Sequence, residues 1–364
     1  MQIRHGVLSR VLGVVLAVAA VALTGCAPAA ADACVSGRLE YTAPVAEDGG
    51  TERTVPARSS TVQVWAASSS DGRRALVHEA GLDDDGRFEV CARNRSLVDV
   101  ELRFLAQHEG LWRVVSEGEE VVARFTAEDV GTTVAAGQHH DIGTIAVPDD
   151  EAGAWRIVDA VTDLYDARAT ESPCWAAQSR TDCAEATYVW PASDPENAGF
   201  WDHATDRIVL GRDDANSRHL ILHETGHWWQ NQLYADDFPD VVNCDTHYID
   251  TPSSPSCGWT EGFADAVAAQ VLGDRVYVSD SGEVSPFEES VGTAWAGGDS
   301  TQGNVAATLL DLWALQEKGE GWASSIAFMT GHPSADLGAY IADRYPQRPA
   351  TVSDILRRHG IDLG

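Results

Sequence analysis

The sequence predicts a multidomain protein: an N-terminal all-β sandwich followed by an α+β domain. Three observations carry this. Short alternating apolar runs separated by turn clusters recur between Val35 and Val147, the period-2 signature of half-buried strands. Beyond Asp149-Asp150 the period changes: Trp155, Val158, Val161, Leu164 and Tyr165 recur at helical spacing, so residues 152–168 read as an amphipathic helix. The chain has 364 residues and is 44% hydrophobic, enough apolar material for two cores.

Residues 1–25 read as a signal peptide. Arg4 and Arg10 supply the charged region, and Val11 to Leu23 is an apolar run too short for a stable membrane span. The run ends Leu23-Thr24-Gly25-Cys26, which resembles a bacterial lipobox. That junction predicts cleavage before Cys26 and its lipidation, anchoring the exported chain to the outer face of the cell membrane. Residues 26–32 then form an Ala/Pro tether. A simple secretory signal, cut near Ala29 to Ala31, is the other reading.

Lipidation of Cys26 leaves six of the seven cysteines. Six allow about 15 connectivities, and sequence does not choose among them. Proximity and domain membership favour Cys34 with Cys91, Cys174 with Cys183, and Cys244 with Cys257. Export makes disulfides permissible, and no C-x2–4-C spacing points to a thiolate zinc site instead. The net charge is -31, with a single lysine, Lys318, among 25 basic residues. This argues against nucleic acid or an anionic membrane surface as partner.

Residues 33–148 carry the sandwich. The strand-like runs are Val35–Tyr41, Thr61–Ala66, Ala75–Glu79, Arg87–Cys91, Val98–Ala106, Trp112–Val115 and Ile142–Val147, with turns such as Ser69-Ser70-Asp71-Gly72 and Asp83-Asp84-Asp85-Gly86 between them. The runs Val-Ser-Gly-Arg-Leu, Thr-Val-Gln-Val-Trp and Asp-Asp-Gly-Arg-Phe-Glu-Val resemble transthyretin-like and carboxypeptidase-regulatory-like domains. Asp83–Asp85 lack a calcium loop's oxygen-ligand spacing and read as a hairpin turn. His139 and His140 read as loop residues. Nothing in this stretch names a partner.

Residues 149–364 form the second domain, with Ala186–Trp190 and Arg207–Leu210 as strands. Between Leu220 and Leu233 lies His223-Glu224-Thr225-Gly226-His227, an H-E-x-x-H pattern in an apolar setting. On a helix the two histidines share one face, ~6 Å apart along the axis, so both can reach one zinc ion at ~2.0–2.1 Å. Glu224 can then serve as general base without being a ligand. Asn216 or Ser217 can cap the helix, and Gly226, costly mid-helix, implies a close backbone approach. A third histidine in the x-x-G-x-x-H position is absent: Gln230 and Leu233 stand there. His219 is too far from His227 along the axis, ~12 Å, to share an ion with it. In Trp259-Thr260-Glu261-Gly262-Phe263-Ala264-Asp265, Glu261 heading a second helix would complete a His2Glu site with an open fourth position. Asp265, one turn on, can hold the distal N–H of a liganding imidazole. Asp236, Asp237 and Asp240 are rivals for the third position.

H-E-x-x-H followed by E-G-x-x-D on a second helix resembles the gluzincin metallopeptidases, the thermolysin-like clan. The resemblance spans about residues 150–364 in architecture and is specific over 220–234 and 258–270. It implies a zincin-like fold, Zn2+ held by His223, His227 and Glu261, Glu224 as general base and Asp265 behind the ligands. His227 and Glu261 stand further apart than in thermolysin, implying an inserted loop, the polar 234–260, closed by Cys244–Cys257. No stretch matches the clan's transition-state-stabilising histidine or tyrosine. His247 and Tyr248 in the loop are oxyanion-donor candidates, although the structural-loop reading is the stronger one for each. The resemblance also implies an edge strand that pairs with substrate backbone, for which Arg207–Leu210 is the candidate. Helices around Val305–Trp313, Leu337–Tyr345 and Thr351–His359 match the half that closes the cleft.

The expected function is zinc-dependent hydrolysis of peptide bonds in a protein or peptide, with Glu224 activating a zinc-bound water. The competing reading is a catalytically silent zincin-fold lipoprotein acting as a binding or scaffold module.

Overall fold

The computed structural model describes residues 31–67, 72–118, 121–127, 132–176, 183–194, 198–290, 292–315 and 321–363. The signal peptide, Cys26, all but the end of the tether, and Lys318 lie outside them. Among the described residues, no helix is long and apolar enough to cross a membrane.

Strands come first along the chain: β1 (Ala33–Val45), β2 (Thr51–Pro56), β3 (Thr61–Ala67), β4 (Arg74–Gly81), β5 (Arg87–Ala92), β6 (Glu101–Leu105), β7 (Gln107–His108), β8 (Trp112–Val115), β9 (Arg124–Thr126) and β10 (His139–Ala146). One sheet is built on β1, which pairs with β2, β5 and β10; the other has the order β4-β3-β6-β9. The alternation read from the sequence is what closes the core between them. Val35, Leu39 and Tyr41 of β1 and Val62 and Val64 of β3 are buried, and the Phe88 and Phe104 rings meet across the sheets at 5.6 Å. Cys34 and Cys91 face each other on paired strands and are bonded. Asp83 Oδ1 accepts from the N–H groups of Asp85 and Arg87, so the acidic run is a tight turn, but not the expected hairpin: it carries the chain from β4 of one sheet to β5 of the other. His139 and His140 are strand residues, not loop residues: they open β10 in register with Cys34 and Val35.

The mixed α/β region holds α1 (Ala152–Ala167), β11 (Ala186–Val189), β12 (Phe200–Asp202), β13 (Arg207–Val209), α2 (Arg218–Leu233), α3 (Pro255–Leu272), the hairpin β14 (Val276–Val278) and β15 (Val284–Pro286), α4 (Gln302–Trp313), α5 (Trp322–Met329), α6 (Leu337–Arg344) and α7 (Ala350–Arg358). Its 5-stranded sheet has the order β12-β13-β11-β8-β7. Trp112–Val115 therefore does not belong to the sandwich. It pairs in parallel with β11, residue for residue from Ala186↔Trp112 to Val189↔Val115. The run had no partner-specific signal; what decides its place is burial, since Trp112 and Val114 pack with the Trp155, Trp175 and Tyr188 cluster.

Two further corrections follow from this sheet. Arg207–Val209 lies inside it, between β11 and β12, so the edge on that side is Phe200–Asp202. The second helix of the motif starts earlier than expected, at Pro255, and Glu261 sits well inside it. Ser254 caps it by accepting from Cys257 N, with proline at its first position, a start signal present in the sequence.

α2 is buried almost all round, from His219 to Leu233. Ser217 caps it through Leu220 N. The sandwich adds a second cap: Glu47 Oε1, in the turn after β1, accepts from the N–H groups of Arg218 at 2.6 Å and His219 at 3.1 Å. α2 crosses α3 where both chains are small. A Cβ added at Gly226 would lie 2.9 Å from Ala264 Cα, so the glycine is what lets the helix axes come this close.

Candidate metal centre

The close crossing brings three donors to one point. His223 Nε2 stands 3.2 Å from His227 Nε2 and 3.2 Å from Glu261 Oε2, and His227 Nε2 is 3.3 Å from the same oxygen. The triangle is nearly equilateral. Ligands at the corners of a tetrahedron of ~2.0 Å radius stand about 3.3 Å apart, so these three donors fit a zinc-sized ion and leave a fourth corner open. All three residues are buried. Asp236, Asp237 and Asp240 are not in this group.

His223 is held from behind. His223 Nδ1 is 2.9 Å from Asp265 Oδ1, and Asp265 Oδ2 accepts from Gln302 Nε2 at 3.1 Å. With the proton on Nδ1, Nε2 keeps its lone pair toward the triangle. His219 points away: its Nε2 is 3.0 Å from Asp274, and its ring lies beside Glu47.

Burial opposes charge on His223. Asp265, Glu261 and Glu224 outweigh it and hold the imidazole well above its ordinary 6.5. Burial likewise pushes Glu261 upward, but His227 and His223 more than reverse this and hold its carboxyl well below 4.5. Both directions favour the metal-free cluster as an ion pair, and both express how much negative charge is aimed at the spot a cation would take. Glu224 behaves differently. Burial raises it above 4.5, with the two histidines only partly opposing. Its Oε2 accepts from Trp201 N at 2.9 Å, while Oε1 lies 3.9 Å from His223 Nε2. This carboxylate lies beside the donors, tethered by one oxygen and outside the mutually close triangle.

His247 Nε2 approaches Glu261 Oε2 at 3.3 Å but is outside the mutually close triad; its Nδ1 donates to Cys244 O at 2.9 Å. Tyr248 is 62% exposed at the mouth of the site. The loop carrying both is closed by the Cys244–Cys257 bond, and Cys174 is bonded to Cys183. Two cavities flank the triangle, of about 510 and about 530 Å³, and share Gly199, His223, Glu224 and His247. The first reaches Tyr277, Trp295 and Gln302, the second Trp201, His203 and Phe238.

Tyr277, Trp201 and Gln302 were absent from the sequence reading. Tyr277 lies in β14, its ring edge-on to His223 at 5.9 Å. The run Val276-Tyr277-Val278 before Asp280-Ser281-Gly282 is a hairpin signal that could have revealed it. Trp201 and Gln302 meet the site through pairing across the fold and had no local signal.

The class these features define is a two-part protein, β-rich then mixed α/β, with a buried His–His–Glu donor set and an adjacent carboxylate. Residues 167–359 match the mycolysin C-terminal domain and residues 34–154 the mycolysin middle domain. The first match alone covers more than half of the 364 residues and contains the whole donor set. The chain belongs to the mycolysin family, which relates it to the thermolysin-like proteases. No match is found among curated proteins. Among solved structures, a 9R-lipoxygenase from Cyanothece PCC8801 shares 15% identity over 59% of this chain and 28% of that one, with a TM-score of 0.21. The major plantain pollen allergen Pla l 1 shares 12% over 32% of this chain and 92% of its own, with a TM-score of 0.19. An (S)-allantoin synthase shares 13% over 32% and 42%, with a TM-score of 0.16. Likeness this slight carries no argument about fold or function.

Proposed function

We propose that the protein is a zinc-dependent peptidase of gluzincin type, hydrolysing peptide bonds in a protein or peptide. The observation that carries this is the donor triangle with edges of 3.2, 3.2 and 3.3 Å. His223, His227 and Glu261 would hold the ion. Zinc, when bound, supplies Lewis acidity: it lowers the pKa of a coordinated water and polarises the scissile carbonyl. The rest falls to the chain's own groups. Glu224 takes the proton from the attacking water through Oε1 and passes it to the leaving nitrogen. Its raised proton affinity suits a group that must accept and then return a proton. Trp201 N–H fixes the other oxygen, and the Gln302–Asp265 pair fixes His223. β12, an edge of the sheet, is the strand an extended substrate would pair with. His247, with its Nε2 near the donors, is the better placed of the two oxyanion candidates.

The site is expected at the outer face of the cell membrane, on a lipid carried by Cys26. Cys26→Ser should release the protein, and its mass should lose a diacylglyceryl group; a lipid-free mature protein starting elsewhere refutes this.

A quenched-fluorescent peptide library tests the activity. Hydrolysis that stops with a chelator and returns with zinc supports it. A zinc-loaded protein inert to every peptide would favour the scaffold reading instead.

A further inference from the structure

The carboxylate of Glu261 has two sides. Oε2 joins the donor triangle, and Oε1 lies 3.8 Å from Cys244 Sγ. On that second side, Cys244, His247 and Cys257 offer two sulfurs and an imidazole nitrogen, all within 4.8 Å of one another. Cys244 Sγ is 3.8 Å from His247 Nδ1. Cys257 is fully buried in the first turn of α3, while His247 is 36% exposed and borders the cavity of about 530 Å³. As a disulfide the sulfurs are poor ligands. As thiolates they, with an imidazole, are the donor set that zinc and other thiophilic cations prefer.

We propose that opening the Cys244–Cys257 bond creates a second metal site, Cys244–His247–Cys257, beside the first and touching it through Glu261. The chemistry balances with a phosphine as reductant. The sulfur–sulfur bond breaks, water supplies the protons and the oxygen, and the products are two thiols and a phosphine oxide. Binding a divalent cation then releases the two thiol protons. His247 must turn from its bond to Cys244 O to face the ion, and the second ion competes for Glu261. The reduced, metal-replete protein therefore carries two ions and its first site is disturbed. No C-x2–4-C spacing announces this site, because the loop between the two cysteines is closed by the fold and not by sequence proximity.

Metal counting decides the matter, and it does so independently of the peptidase reading. The full chain is dialysed against buffered zinc with and without a water-soluble phosphine, anaerobically, and zinc per chain is measured. The expected result is one additional ion on reduction, lost again on reoxidation. If the donor triangle does not bind zinc, the oxidised count is zero and the increment is still one. With Co2+ in place of zinc, reduction should add a thiolate-to-cobalt charge-transfer band in the near ultraviolet. Reduction also opens the other two disulfides, so the same treatment is applied to the C244S/C257S variant, which should gain neither ion nor band. His247→Ala, which keeps both cysteines, should weaken the added ion about 10-fold or more. A reduced wild-type protein with no added ion and no band overturns the proposal. So does a double-serine variant that gains the ion as wild type does. Should that variant fail to fold, reduced wild type is compared with reduced His247→Ala, in which the other two disulfides open equally; an added ion bound as tightly by His247→Ala as by wild type overturns the proposal.

Discussion

Glu224 and Glu261 are both buried carboxylates that burial alone would raise, yet their partners leave them shifted in opposite directions. Glu261 faces two imidazoles and is held well below the ordinary carboxylate value, whereas Glu224 accepts one backbone hydrogen bond and is raised. Their roles separate accordingly. Glu224→Gln should cut turnover about 10²–10⁴-fold, the range for a lost general base, with zinc content unchanged. Near-normal turnover would rule the mechanism out. Glu261→Ala should remove most zinc and activity together. Asp265→Ala should weaken zinc about 10–100-fold, because it only orients His223. Zinc measured after dialysis against a weak chelator ranks the three. A full-zinc Glu261→Ala protein, alongside zinc loss in an Asp236, Asp237 or Asp240 variant, would overturn the assignment. These residues were legible in the sequence because helix geometry alone places i, i+4 neighbours on one face and an E-x-x-x-D pair on another. Trp201 and Gln302 were not, because their approach depends on which elements pack together across the fold.

At the scale of elements, the site is a helix crossing. A Cβ at Gly226 would meet the backbone of Ala264, and Gly262 faces Val305 and the carbonyl of Gln302 as closely. Gly226→Ala gains helix propensity, by about 1 kcal/mol, yet should lower zinc affinity at least 10-fold, since α2 and α3 must separate and the triangle with them. Unchanged zinc affinity would show that the crossing does not set the donors. The other end of α2 is set by Glu47. Burial opposes its charge, but His219 and Arg156 win and hold it below 4.5; burial also opposes charge on His219, and Asp274 with Glu47 holds it above 6.5. A lowered carboxylate stabilises the fold above its unfolded value and loses that as pH falls through the folded one. A raised histidine stabilises below its unfolded value and loses that as pH rises through the folded one. Both contributions are complete only between pH 4.5 and 6.5. Glu47→Ala should therefore destabilise by about 1–3 kcal/mol, most in that window and less on either side. Denaturant melts across pH test it; a cost that does not vary with pH would mean that His219 is not a partner. Ser217 as a cap was readable locally. Glu47, 171 positions away from Arg218, was not.

Across the whole molecule, the boundary between the two parts was the least legible feature. Composition and period place it near Asp149, yet β7 and β8 cross it to complete the 5-stranded sheet. Alternation tells which faces of a strand are buried, not against which neighbour, so Trp112–Val115 looked like one more strand of the sandwich. Arg58, reaching Asp159 and Asp163 of α1, ties the parts further. Residues 149–364 produced alone should therefore fail to fold: β11 loses β8, and the cluster of Trp155, Trp175 and Tyr188 loses Trp112. Dye binding to exposed apolar surface and loss of near-ultraviolet dichroism would report this; a cooperative melt from that fragment would contradict it.

The borrowed strand also bears on how the chain is made. β8 ends at Val115, and its neighbour β11 begins at Ala186. A ribosome adding ~5–20 residues per second needs roughly 4–15 s to cover that interval. Once β9 and β10 have followed within that interval the sandwich can close around its own β1-based sheet, while Trp112 and Val114 wait on an open strand edge for a partner not yet synthesised. An edge of that kind, apolar on its inward face, is the surface on which nascent chains associate wrongly. Slowing translation between the two strands should lower the yield of folded protein, and adding a holding chaperone should restore it.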